Sequence, residues 1–186
     1  MRKVIAAINM TLDGFCDHTS GIADEEIHQH YNELLSNAGI ILYGRITYQL
    51  MEYWRNVLKN PTGDKGMDDF ALTIDKIPKV VFSNTLENVE WETARLAKRD
   101  IREEVLELKQ SSNVADKDIL VGSRSLIISL MNLNLIDEFQ LCVHPVIAGS
   151  ALPLFKNIDD KIILKLIKTK TFSSGVVALY YVPIKK

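Results

Sequence analysis

Asp118-Ile119-Leu120-Val121-Gly122-Ser123-Arg124-Ser125 is the stretch on which the reading of this chain turns. An apolar, β-branched run ends at a Gly-Ser pair, and a helix-like spacing of Leu126, Leu130 and Leu133 follows. A strand that gives way to a helix through a small turn aims free backbone N–H groups at the edge of a sheet, where a phosphate can sit. The pattern recurs where Ile40-Ile41-Leu42-Tyr43 meets Gly44-Arg45-Ile46-Thr47, and a third short turn, Ser83-Asn84-Thr85, follows Lys79-Val80-Val81-Phe82. One such turn carries little information. Three in a chain of this size point to a nucleotide or dinucleotide laid across strand ends.

Working outward, residues 3–9 read as a fully buried strand, because the run is apolar rather than alternating. Leu12-Asp13-Gly14-Phe15 turns the chain. Asp24 N-caps a helix that carries Ile27, Tyr31, Leu34, Leu35 and Ala38 on one face, with Gly39 at its C-terminus. Residues 47–58 read as one aromatic-rich helix, and 61–69 as a polar loop. Asp100 caps a helix with Ile101, Val105 and Leu108 inward, and 125–134 form the next. The last third changes character. Residues 138–147, 162–172 and 176–183 read as strands without helices between, Ser173-Ser174-Gly175 as a hairpin turn, and alternating residues give them one wetter face. The expected architecture is α/β: a mixed, mostly parallel sheet flanked by helices, with antiparallel C-terminal strands, in one domain spanning 1–186.

Composition narrows the function. With 47% hydrophobic residues the 186-residue chain can fill a core, and a net charge of −2 gives no electrostatic case for nucleic acid or an anionic membrane. The start, Met1-Arg2-Lys3 followed by Val4 to Ile8, is broken by Asn9, Thr11 and Asp13, too soon for a signal peptide or a membrane span. Cys16 and Cys142 are far apart, as free thiols of a cytoplasmic protein would be. His18, His28 and His30 lack a second set of ligands at metal spacing, so no metal is expected.

The order of these junctions resembles the dihydrofolate reductase-like superfamily, in its branch around the reductase domain of riboflavin biosynthesis. The resemblance is carried by Met10-Thr11-Leu12-Asp13-Gly14-Phe15, Leu42-Tyr43-Gly44-Arg45-Ile46-Thr47-Tyr48, Lys79-Val80-Val81-Phe82-Ser83-Asn84-Thr85, Asp118-Ile119-Leu120-Val121-Gly122-Ser123, Leu135-Ile136-Asp137-Glu138-Phe139 and Val143-His144-Pro145-Val146-Ile147-Ala148-Gly149. It implies hydride transfer from NADPH, or NADH, to a small planar heterocycle such as a pterin or pyrimidine, and a homodimer. It also implies a cofactor site at Gly44, Arg45, Thr47, Ser83, Asn84, Gly122, Ser123, Arg124 and Ser125. Family members often carry Arg where this chain has Asn84, which leaves the choice between NADPH and NADH open. The deaminase signature of the two-domain riboflavin enzyme, His-x-Glu with Pro-Cys-x-x-Cys, is absent from the sequence.

For the chemistry, Asp13 has two readings: an Asx-type turn, or a catalytic-loop residue that orders the loop over the nicotinamide or reaches substrate. Tyr48, Tyr53 and Trp54 either pack in the core or line a ring pocket, and His144 is either structural or faces that pocket. Asp24, Glu25 and Glu26 suit a helix N-terminus, which leaves dihydrofolate without a placed proton donor. The competing class is a nucleotide-binding protein or sensor that kept the fold without turnover. A nucleotide hydrolase would need a Gly-x-x-x-x-Gly-Lys loop, which the sequence lacks.

Overall fold

The computed structural model describes residues 1–16, 19, 21–22, 24–111 and 117–184. His18 lies outside the described residues. Strands β1 (Val4–Thr11), β2 (Ala38–Gly44), β3 (Lys79–Phe82), β4 (Ala94–Leu96), β5 (Asp118–Val121), β6 (Glu138–His144), β7 (Leu164–Thr171) and β8 (Val177–Pro183) make one sheet in the order β4-β3-β2-β5-β1-β6-β8-β7. Pairs from β4 across to β6 are parallel, and β8 runs antiparallel to both β6 and β7. This is the mixed sheet anticipated above.

Helices α1 (Glu25–Ser36), α2 (Arg45–Met51), α3 (Tyr53–Lys59), α4 (Lys65–Lys76), α5 (Ile101–Gln110) and α6 (Arg124–Asn132) cover the two faces. Period 2 along the strands sorts the core. Val4, Ala6, Leu42 and Val121 meet Val105 of α5 and Leu126, Ile127 and Leu130 of α6 on one face. Ile5, Ala7, Ile41, Tyr43 and Leu120 meet Leu35 of α1, Tyr48 of α2 and Ile74 of α4 on the other. The connections that leave the neighbouring strands β2 and β5 therefore depart to opposite faces. That divergence leaves a crevice beyond their C-terminal ends, the usual ligand position in an open α/β sheet.

The crevice is deepened by unequal strand lengths. The register of β1 with β5 ends at Ala6↔Val121, but with β6 it continues to Thr11↔His144. The outer half of β1 thus has no strand partner on its β5 side. The expectation of a fully buried first strand fails here: Asn9 is exposed in the middle of the sheet.

Other differences follow from packing and capping. Residues 47–58 are not one helix; they split at Glu52 into α2 and α3. Much of 61–69 is helical, because Asp64 accepts from Met67 N and starts α4, whose polar first turn hides the buried Ala71 and Ile74 from a sequence reading. Gly39 lies inside β2 rather than capping α1, which ends at Asn37; a side chain there would meet the Arg2 guanidinium at 2.7 Å. Strand β6 has no wet face. It lies between β1 and β8, and Gln140 and His144 are buried with Leu141 and Cys142. Gly175, at φ 84°, makes the anticipated hairpin between β7 and β8.

Lys79, at 1% exposure, anchors α4. Its ammonium donates to Ile74 O at 2.6 Å, Ile77 O at 2.7 Å and Thr93 Oγ1 at 2.9 Å, and lies 4.1 Å over the Trp91 ring. The carbonyls are the orphans of a helix C-terminus, satisfied here by a lysine from the next strand. Burial pulls its pKa down to about 8. Lys79→Met keeps the volume but strands those carbonyls, and urea unfolding is expected to show a loss of about 3 kcal/mol.

Candidate functional site

Helices α1, α4 and α5 each begin at an aspartate: Asp24, Asp64 and Asp100 accept from Ile27 N, Met67 N and Glu103 N. Helices α2 and α6, which open from β2 and β5 at the crevice, have no side-chain cap. Ser123 stands at the N-cap of α6, where serine ordinarily turns its hydroxyl to its own helix. Instead its fully buried Oγ accepts from Gly44 N at 2.9 Å and ties the two strand ends together. The first amides of α6, at Arg124, Ser125 and Leu126, have no intrahelical acceptor, and those of α2 lie beside them.

The join is tightest at Gly44. A Cβ on Gly44 would sit 3.2 Å from Ser125 Oγ, and one on Gly122 would sit 3.4 Å from Ala7 O. The crevice therefore offers uncapped amides, small hydroxyls and no carboxylate cap, a donor set that fits a phosphate diester or monoester. Of the anticipated cofactor residues, the structure brings Gly44, Gly122, Ser123 and Ser125 together. Arg45 is exposed on the first turn of α2, its guanidinium 3.3 Å from Gln49 Oε1, and Thr47 is half-buried on the same turn. Ser83 Oγ accepts from Thr85 N and Leu86 N and shapes its own turn, leaving Asn84 exposed. Arg124, at the start of α6, donates from its Nε to Pro153 O at 2.6 Å.

The Pro153 loop and the one after β1 are laced together. The Asp13 carboxylate accepts from Thr11 Oγ1 at 2.6 Å, Ala148 N at 3.1 Å and Gly149 N at 2.8 Å. The Thr11 hydroxyl, joined by those amides, holds its pKa down to about 2. Leu12 N donates to Val146 O, and Leu154 N to Gly14 O. Of the two readings of Asp13, the geometry supplies loop ordering. An ionised carboxylate with three donors is a poor source of protons near neutral pH.

The aromatic residues part company. Tyr48 is 2% exposed and its hydroxyl accepts from Glu90 N and Trp91 N, so it belongs to the core rather than a pocket. Tyr53 is 51% exposed, edge-on to Trp54, whose ring lies 4.5 Å from Phe70 of α4.

His144 is buried. Its Nδ1 accepts from Ile22 N at 2.9 Å, which places the proton of the neutral ring on Nε2, 3.1 Å from Asn9 Oδ1. The same Oδ1 accepts from the Tyr31 hydroxyl at 2.9 Å. Asn9 and Tyr31 were not singled out as site residues by the sequence reading. The signal was present: an amide standing in an apolar central strand.

The comparisons with known proteins agree with this architecture. Residues 2–178 match the model of the RibD C-terminal domain. The chain belongs to that family. The Bacillus subtilis (strain 168) protein YyaP is 37% identical over 184 residues, covering 97% of this chain and 94% of YyaP. Among solved structures, a putative riboflavin biosynthesis protein from Shewanella sp. PV-4 superposes with a TM-score of 0.73 at 18% identity, over 98% of this chain and 99% of that one. Acinetobacter baumannii RibD superposes with a TM-score of 0.66 at 16% identity, over all of this chain and 59% of its own. These likenesses establish the fold. Among the described residues, no helix is long and apolar enough to cross a membrane.

Burial also holds the pKa of His144 and His30 below the ordinary imidazole range. Above about pH 6.5 both the folded and unfolded chains keep these rings neutral; below it the unfolded chain takes up protons first. Stability is therefore expected to fall as pH drops from about 6.5 toward 5. In His144→Gln, thermal unfolding across that range is expected to show a shallower slope, whatever the variant's absolute melting temperature.

Proposed function

We propose that this protein is an NAD(P)H-dependent reductase that transfers hydride to a small planar heterocycle, a pterin- or pyrimidine-like ring. The observation that carries the reading is the Ser123–Gly44 bond, which leaves the N-termini of α2 and α6 uncapped and side by side at the switch point. Membership of the RibD C-terminal domain family supports it. Gly44, Gly122, Ser123 and Ser125 would hold the cofactor phosphates, and exposed Arg45 would reach a ribose 2′-phosphate, which favours NADPH. When bound, the nicotinamide supplies the hydride. The chain supplies orientation. The outer half of β1 would floor the cleft and the loops laced by Asp13 would wall it, with Tyr53 and Trp54 of α3 as the candidate ring-binding aromatics. The proton that completes the reduction comes from elsewhere than Asp13.

Titration with NADPH and NADH, followed by nicotinamide fluorescence, tests the site. Micromolar NADPH binding is expected, weakened at least tenfold in both Arg45→Ala and Ser125→Asp. The second variant is the sharper control. A carboxylate at the start of α6 favours the helix dipole, so its melting temperature should hold or rise while binding is lost. Binding without NADPH oxidation across a panel of pterins, pyrimidines and quinones would instead favour the sensor reading.

The same reading expects a cytoplasmic homodimer. Leu166 on β7 is 47% exposed, and Leu179 and Tyr181 on β8 are half-buried beside it, an apolar strip on the outermost strands. Light scattering is expected to give twice the 21.1 kDa chain mass, and Leu166→Asp to shift it toward one.

A further inference from the structure

Asn9 is exposed on β1, on the face where Ile5 and Ala7 precede it and where Cys142 is its β6 neighbour. An amide side chain is ambiguous about which end faces where, but here a backbone group removes the ambiguity. Ile22 N donates to His144 Nδ1, so the neutral ring must donate from Nε2. Only an oxygen can receive that proton, and the Tyr31 hydroxyl donates to the same atom. Oδ1 is thus held inward by two donors. The Nδ2 amino group points away from them, and no described residue accepts from it.

We infer that Asn9 Nδ2 is a specificity determinant that donates to a ring carbonyl oxygen on the bound heterocycle. Tyr31 and His144 are positioning residues that keep the amide from turning over. The inference rests on the reductase reading, because it places the ring in the cleft beside the outer half of β1. It adds which edge of the ring is read. A locked donor pair rejects a ring that offers amino groups at that edge, since two donors would face each other with neither satisfied.

The test uses two ring probes of matched size. 5,6-Diaminouracil presents carbonyl acceptors; 2,4,5,6-tetraaminopyrimidine presents amino groups in their places. Their affinities are measured by calorimetry on the whole protein, with and without saturating NADPH. The wild type is expected to prefer the uracil by at least tenfold. In Asn9→Asp, Oδ1 still receives Tyr31 and His144, but an acceptor replaces the outward donor, and the preference is expected to reverse. Asn9→Ser is expected to bring the two affinities together, which keeps the test open if the aspartate variant folds poorly. Tyr31→Phe is expected to shrink the preference by loosening Oδ1, a ratio that a change in stability alone would not move. Equal affinities in the wild type, binding of neither ring, or a preference unchanged by Asn9→Asp would overturn the inference. NADPH titration alone, without a ring probe, reports separately on the reductase reading.

Discussion

Strand β5 stops at Val121 while β1 beside it runs on to Thr11, and this inequality organises the candidate site. In a parallel sheet a strand that outlasts its neighbour exposes its flank and one stripe of its side chains. The sheet closes the other flank of β1 with β6, so the opening is one-sided. On that open side the chain must start two helices in opposite directions from adjacent strands. Crowding at the join then favours small residues: Gly44 where the Ser125 hydroxyl approaches, Ser123 where a donor needs an acceptor.

The serine illustrates a choice between two uses of one hydroxyl. Capping α6 would satisfy an amide that water or a ligand can satisfy instead. Bonding Gly44 N satisfies a buried amide at the end of β2. The second use is the more valuable to the fold, and it leaves α6 open. A binding site thus follows from a structural need, without extra residues. The three aspartate caps elsewhere mark the contrast, because a carboxylate at either crevice helix would repel an anion.

Much of this was legible in the sequence because it is written in local patterns. The run Asp118-Ile119-Leu120-Val121, the caps at Asp24 and Asp100, and the turn at Gly175 each depend on neighbours in sequence, and each stands where the sequence places it. The failures have a common cause in partners distant along the chain. The bond from Arg124 Nε to Pro153 O joins two segments that no local pattern pairs. Tyr48 follows the Gly44 turn as a pocket residue would, yet Glu90 and Trp91 claim its hydroxyl. The start of α4 was hidden because its first turn is solvated and polar. Asn9 reads as an interruption of the apolar run, and its partners, Tyr31 and His144, lie far along the chain.

The position of β1 also bears on how the chain is made. Its sheet neighbours are β5 and β6, whose residues lie more than a hundred positions downstream. During synthesis the apolar run from Val4 to Ile8 leaves the ribosome before either neighbour and finds no strand to pair with until more than a hundred further residues have followed. Such delayed, non-local pairing slows folding and prolongs the exposure of a sticky segment. The nascent chain therefore carries its central strand unpaired until more than a hundred further residues are made, and Arg2, Lys3 and the amide at Asn9 bracket that hazard with groups that hold water.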